Sequence, residues 1–381
     1  MRIVVTGGGT GGHISPALAV AEAVLRREPG AQVRYFGSRS GPEAALASEA
    51  GLEFVGVTSR KLRKLLHPST VAVVFALLRG YREASAAMRA FDPQAVVSTG
   101  GYVAAATAIA AARQGRPTVI QAQDAVPGRT NLRLARWATR ICIWYEETAS
   151  AFDPARVVQT GVPLRSSILR RVGVSNARRT LGLAPDRFTL LAVGGSQGAQ
   201  RLNEIVLEAA AEILGGASPV QVLHQVGARN VERLTADAAR LLVPGAADAV
   251  VELGRRGYHL RGYLGPDEMA AAYESADVVV CRCGISTLAE VSAWGIPALM
   301  VPLPTAYADH QTANARGLER RGGGVLLPQS ELTGSRLAEE VRALQRDDGR
   351  RAAMAEASRQ AGRPDAADRV AEISLGLAAG R

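Results

Sequence analysis

Along the chain, short runs of β-branched and apolar residues alternate with Ala-, Leu- and Arg-rich stretches whose apolar positions recur at helical spacing. In the first half the apolar runs fall at 3–6, 33–36, 54–57, 95–98, 118–121 and 141–144, and the segments between them, such as 17–27, read as helices. In the second half the runs recur at 188–193, 220–226, 276–280, 297–301 and 324–327. This alternation predicts α/β architecture with doubly wound parallel sheets, because each parallel crossover needs a helix that covers one face. Thr160-Gly161-Val162-Pro163 interrupts the rhythm and is the expected hinge between domains at 1–163 and 164–363. The stretch 364–381, opening at Pro364-Asp365-Ala366-Ala367, reads as a last helix.

Two of the runs lead into glycine turns of one design. Ile3-Val4-Val5-Thr6 enters Gly7-Gly8-Gly9-Thr10-Gly11-Gly12-His13, and 188–193 enters Gly194-Gly195-Ser196-Gln197-Gly198-Ala199. A helix pattern follows each turn. In an open α/β sheet such a turn aims backbone N–H groups at an anion with no side chain in the way. Two of them point to transfer between two phosphorylated molecules. Gly7, Gly9 and Gly12 also satisfy the dinucleotide fingerprint, which makes a dehydrogenase the first rival. That rival wants a carboxylate after the second strand, where this chain reads Phe36-Gly37-Ser38-Arg39.

Composition narrows the picture. A length of 381 residues exceeds one usual core and suits two domains, and 47% apolar residues supply both. No run of about 18 apolar residues is present, so no span is expected. The glycine turn follows the first strand too soon for a signal peptide. Cys142, Cys281 and Cys283 are too few and too irregular for a disulfide framework, and the one-residue gap of Cys281-Arg282-Cys283 is poor for zinc. These features read as a soluble cytoplasmic protein. The net charge of +10 is uneven: residues 1–163 hold 19 Lys and Arg against 11 Asp and Glu, so an anionic partner is expected to meet the first half.

Candidate chemistry gathers after the strands. His13 stands where the first loop becomes a helix, whose N-terminus favours the neutral imidazole that a general base needs. A capping or packing histidine is the plain alternative. In the second half, Cys281-Arg282-Cys283-Gly284-Ile285-Ser286-Thr287-Leu288-Ala289-Glu290 follows a buried strand and opens a helix. Its small residues allow a diphosphate to approach, and Glu290 is placed to accept hydrogen bonds from two ribose hydroxyls. Asp309-His310-Gln311 follows the next strand, where Gln311 offers a donor and an acceptor to a sugar. No Asp-x-Asp occurs, so neither a metal nor another cofactor is expected, and helix termini with Arg side chains are left to carry a leaving diphosphate.

Residues 58–82 carry Arg60, Lys61, Arg63, Lys64, Arg79 and Arg82 around Leu62, Leu65, Leu66, Val73, Val74, Phe75, Leu77, Leu78 and Tyr81, with no acid between Glu53 and Glu83. A basic rim about an apolar helix suits an anionic leaflet, each basic residue near the surface adding ~1 kcal/mol. The plain alternative buries Val73, Phe75 and Leu77 in the domain core.

Six motifs in order, TGGGTGGH at 6–13, GGYV at 100–103, GGSQGA at 194–199, DEMAAAY at 267–273, the 281–290 run and DHQTANA at 309–315, resemble the MurG family. That family comprises the peptidoglycan N-acetylglucosaminyltransferases that convert lipid I to lipid II. The resemblance covers nearly the whole chain. It implies a GT-B fold of two Rossmann-like domains facing a cleft, with the last helix returning to the first domain. It also implies UDP-N-acetylglucosamine as donor and a polyprenyl-diphosphate-linked muramoylpentapeptide as acceptor, at the cytoplasmic face of the inner membrane. No nucleic acid is expected.

Carried onto this chain, the resemblance puts Ser196 at the donor diphosphate, the Leu264 backbone at uracil, Ile285–Ala289 and Glu290 at the UDP-sugar, and Gln311 at its sugar. Arg165 would sit near the diphosphate, and Thr10, Gly11 and Gly12 would border both substrates. His13 would take the proton from the acceptor's 4-hydroxyl, with inversion. The chain departs from the family at Gln121-Ala122-Gln123-Asp124, where His-Glu-Gln-Asn is usual, and at Gly161-Val162-Pro163, where Gly-Asn-Pro is common. The first change moves acid–base weight to His13, or in a bolder reading to Asp124 itself, whose charge Arg129 or a sugar hydroxyl would have to offset. Other readings are a GT-B transferase with another lipid acceptor, such as diacylglycerol, and a sugar-nucleotide-binding protein without activity.

Overall fold

The computed structural model describes residues 1–60, 69–195, 198–214 and 219–380. The chain forms two compact units, residues 1–166 with 363–381, and residues 167–362. In the first unit, β1 (Arg2–Thr6), β2 (Gln32–Ser38), β3 (Glu53–Val57), β4 (Ala95–Ser98), β5 (Thr118–Ala122), β6 (Arg140–Ile143) and β7 (Val157–Gln159) pair in parallel in the order β3-β2-β1-β4-β5-β6-β7. Ile3, Val4, Val5, Val96, Val97 and Val119 are wholly buried, so the central strands are covered on both faces. That is why they read as unbroken apolar runs.

One face is covered by α1 (Gly11–Arg27), whose Ile14, Ala17, Leu18, Ala21 and Val24 form a buried stripe, together with the last helix, Ala366–Ala378. Arg26 and Arg27 in the final turn of α1 both bond Asp368, tying those helices at their ends. α2 (Glu43–Glu49) follows β2. On the opposite face lie α3 (Ser69–Phe91), α4 (Gly101–Arg113) and α5 (Arg129–Leu134).

The second unit repeats the winding. Its strands are β8 (Phe188–Val193), β9 (Val220–Gln225), β10 (Tyr258–Arg261), β11 (Val278–Cys281), β12 (Ala298–Met300) and β13 (Gly324–Leu326), ordered β10-β9-β8-β11-β12-β13 and all parallel. Two strands, β7 and β10, escaped the sequence reading. Both are edge strands of three or four residues with half-exposed positions, so neither carries the apolar run of a central strand.

In each sheet the order reverses at one point, between β1 and β4 and between β8 and β11. Loops at the carboxyl ends of strands that flank such a reversal diverge and open a crevice. Each glycine turn lies at one of these points, after β1 and after β8.

Candidate functional site

The first turn is held in shape by buried neighbours. Tyr35 donates its hydroxyl to the Gly7 carbonyl at 2.8 Å, and the Gly9 N–H donates to Glu43 Oε1 at 2.9 Å. After β4, the Thr99 hydroxyl donates to the His13 carbonyl at 2.6 Å, and the Thr99 carbonyl lies 2.9 Å from His13 Nδ1. A carbonyl oxygen can only accept, so Nδ1 carries the proton and the ring's basic lone pair is on Nε2. Gly100 and Gly101, at φ +96° and +81°, lie against this ring, and a Cβ on Gly101 would strike the Gly8 carbonyl of the turn.

Gln123 completes the turn. Pro16 has no N–H for the Gly12 carbonyl four residues earlier, a bond that any other residue in that helical turn would make. Gln123 Nε2 donates to that carbonyl instead, at 2.6 Å. Thr10, Gly11, Gly12, His13 and the Gln123-Asp124 loop therefore gather at one end of the sheet. The Asp124 carbonyl accepts from the Thr148 hydroxyl at 3.3 Å, and Gln121 is committed to the Gly161 carbonyl at 2.7 Å.

Arg165 lies apart from this group. Its guanidinium bonds Glu22 at 2.9 Å, about 16 Å along α1 from Gly11 at the usual rise per residue. In this structure its charge is matched by that carboxylate.

In the second unit Gly195 and Gly198 take φ of +84° and +73°, and a Cβ on Gly198 would strike the Val226 carbonyl. Ser196 lies outside the described residues. Behind the turn, buried Asn203 donates to the Val226 carbonyl at 2.9 Å and receives His224 Nε2 at 3.3 Å, while His224 Nδ1 meets the Tyr258 hydroxyl at 2.8 Å. Burial pushes the His224 pKa down to about 3, so the ring is neutral and the chain of bonds has one direction.

The turn after β11 is open at Gly284, where a Cβ would meet nothing within 4 Å. The helix Ile285–Trp294 begins there. Ile285, Leu288 and Ala289 turn inward, and Thr287 is half-buried. Ser286 Oγ is buried with no partner among the described residues, the condition of a polar atom that a ligand completes. Glu290 Oε2 accepts the Tyr273 hydroxyl at 2.7 Å. Burial pushes the Glu290 pKa up to about 7, against the opposing effect of the Tyr273 bond.

Gln311 Oε1 is taken by the Leu303 N–H at 2.9 Å, so the side chain's remaining polar group is the Nε2 amide nitrogen. Leu264 buries its side chain, and its N–H and C=O have no partner among the described residues. Arg282 is buried and committed to the carbonyls of Val301 and Pro302 and to Gln329, bracing the loops around this turn.

On α3, Phe75 is 68% exposed and Leu78 52%, with Val74, Leu77, Arg79 and Arg82 also exposed. The core side of this helix is Ala84, Met88 and Phe91, so the alternative that buried Phe75 and Leu77 does not hold. Arg60 is exposed, while Lys61, Arg63, Lys64, Leu65 and Leu66 lie outside the described residues. Among the described residues no helix is long and apolar enough to cross a membrane, and no cluster of His, Cys, Asp and Glu could hold a metal ion.

Sequence reasoning missed Glu43, Tyr35, Thr99, Gln123, Asn203, His224 and Tyr273 as parts of these sites. Only Gln123 had a local signal, the proline four residues after Gly12.

The glycosyltransferase family 28 N-terminal domain matches residues 3–143, and the C-terminal domain of the same family matches residues 189–370. A UDP-N-acetylglucosamine–N-acetylmuramyl-(pentapeptide) pyrophosphoryl-undecaprenol N-acetylglucosamine transferase of Desulforudis audaxviator is 40% identical over 99% of both chains. The protein of that name from Desulfitobacterium hafniense is 36% identical over 99% of this chain and 100% of its own. The crystal structure of Acinetobacter baumannii MurG superposes with a TM-score of 0.74 at 30% identity, covering 98% of this chain and 99% of that one. With both domains matched and identity of this level along the full length, the chain belongs to glycosyltransferase family 28, within its MurG family, and has the GT-B fold.

Proposed function

We propose that this chain transfers N-acetylglucosamine from UDP-N-acetylglucosamine to the 4-hydroxyl of the muramoyl sugar of lipid I, giving lipid II and UDP. The carrying observation is the pair of unlike glycine turns at the two switch points. One presents an imidazole with its lone pair on Nε2, and the other stands with an enclosed carboxylate and a serine hydroxyl that has no partner among the described residues. In this reading the second unit holds the donor: Glu290 accepts the ribose hydroxyls, the Leu264 backbone meets uracil, and Gln311 donates to the sugar. Ser196 and Ile285–Ala289 line the diphosphate.

The first unit holds the acceptor at Thr10, Gly11, Gly12 and Asp124. His13 Nε2 takes the hydroxyl proton as that oxygen attacks the anomeric carbon from the face opposite UDP. The bond from that carbon to the diphosphate oxygen breaks, UDP leaves with the electron pair, and the new link is β. The N–H groups at the helix starts offset the charge that grows on the leaving diphosphate. Incubation with radiolabelled UDP-N-acetylglucosamine and a lipid I analogue yields labelled disaccharide product. Transfer to diacylglycerol alone, or donor binding without any transfer, would replace this reading with one of its rivals.

The apolar face of α3 and its basic rim support attachment at the cytoplasmic face of the inner membrane, against an anionic leaflet. Burying a Phe or Leu side chain is worth ~1.5–3 kcal/mol. Replacing Phe75 and Leu78 by Ser is therefore expected to weaken sedimentation with phosphatidylglycerol vesicles by about tenfold or more. Transfer to a water-soluble acceptor analogue stays near the native rate. Unchanged vesicle binding would place the membrane contact on another surface.

A further inference from the structure

A dinucleotide-binding sheet places a carboxylate just beyond its second strand, where it accepts the ribose hydroxyls of the ligand. Here β2 ends at Ser38 with no acid beside it, and the chain continues through Gly41 and Pro42 to Glu43, the first residue of α2. Glu43 is fully buried. Its Oε1 accepts the Gly9 N–H at 2.9 Å, while Oε2 is buried with no partner among the described residues.

Two glycines make room for the carboxylate, and a third makes room for the ring beside it. A Cβ on Gly41 would fall on Glu43 Oε2, one on Gly8 would fall on Oε1, and one on Gly9, at φ +86°, would strike the Tyr102 ring. A carboxylate without a cationic partner and with one oxygen unsatisfied is costly to bury. Its position at the start of α2 offsets part of that cost, and the charge-assisted bond to Gly9 another part. Burial, with the nearby Glu43 charge, pushes the Tyr102 phenol pKa up.

We infer that Glu43 is the internal anion of the first glycine turn, a positioning and specificity residue that holds the Gly9 amide in the place of a nucleotide phosphate and so sets the loop that presents His13. The fingerprint glycines are thus used without their usual ligand. A dinucleotide diphosphate finds the Gly9 amide taken and a fixed negative charge behind it, while Thr10, Gly11 and Gly12 stay at the outer edge of the turn. The kinetic part of this inference rests on the transfer activity proposed above; the structural part does not.

Full-length Glu43→Ala and Glu43→Gln chains separate the two. Amide hydrogen exchange over residues 7–12, read by mass spectrometry, is expected to quicken at least about tenfold in Glu43→Ala. Glu43→Gln keeps an oxygen for the Gly9 N–H and restores most of the protection. In transfer assays Glu43→Ala loses about tenfold or more in kcat/KM for a lipid I analogue, while the UDP-N-acetylglucosamine KM stays within about twofold. Native exchange in Glu43→Ala overturns the inference. So does equal damage in both variants, which would assign the effect to charge or packing, or exchange that quickens across the whole first unit, which would assign it to the fold. Should the native chain fail to use lipid I, the transfer reading falls while the exchange result still decides the role of Glu43.

Discussion

A His13→Ala chain turns over a lipid I analogue about a thousandfold more slowly than the native chain, inside the 10²–10⁴ range that a positioned general base supplies. The effect falls on kcat, because the imidazole acts on a proton that moves only in the transition state. The UDP-N-acetylglucosamine KM changes little, since the proton that His13 takes belongs to the acceptor and not to the donor. The Thr99 carbonyl fixes the tautomer, so His13→Gln does not restore the rate: an amide has no basic lone pair at the position of Nε2. Steady-state kinetics at saturating donor make the comparison. An Asp124→Asn chain with full turnover removes the rival base, whereas near-native turnover in His13→Ala together with a dead Asp124→Asn would move the base to Asp124.

What the sequence disclosed and what it hid divide along physical lines. The central strands were readable because parallel strands covered on both faces must be apolar throughout, as in Ile3–Val5 and Leu190–Val193. The glycine turns were readable because their φ angles admit few other residues, as at Gly9 and Gly198. Edge strands β7 and β10 obey neither constraint and left no mark.

The residues behind the turns were hidden for another reason. Glu43 reaches Gly9 across 34 positions, and Gln123 reaches Gly12 across 111, so their meaning exists only after the sheet is wound. Glu43 opens a helix of seven residues and carries no local mark that sets it apart from any other first-turn acid. An acid does stand a few residues beyond β2, but it is turned inward onto the Gly9 amide. Arg165, which the resemblance puts near the diphosphate, has a partner that the sequence did not disclose, Glu22 on α1. On α3 periodicity alone could not decide which face is buried, because Leu, Val and Phe occur around most of its first turns. Packing of Ala84, Met88 and Phe91 decides it and leaves Phe75 outside.

Glu290 carries the second large effect. An ionised carboxylate that accepts two vicinal hydroxyls makes two charge-assisted bonds, each worth ~1.5–3 kcal/mol when its partner is removed. Glu290→Ala is therefore expected to raise the UDP-N-acetylglucosamine KM about a hundredfold, and the stranded Tyr273 hydroxyl adds to the loss. The pH dependence follows from the pKa near 7. Only the ionised form accepts both hydroxyls, so the native donor KM should rise about tenfold as pH falls from about 8 to about 6. Binding the donor at pH 6 then releases a proton, measurable as a buffer-dependent heat.

Stability runs the other way. A carboxyl whose pKa is raised on folding binds more protons folded than unfolded, so its contribution is present below its ordinary range and is lost as pH climbs from about 4.5 toward 7. Glu290→Gln abolishes both slopes: its donor KM is flat with pH, and its melting temperature no longer carries the fall that Glu290 contributes over that window. A native donor KM that does not move between pH 6 and 8, or a Glu290→Ala chain with native donor affinity, would take the ribose away from this residue and leave its carboxyl a buried partner of Tyr273 alone.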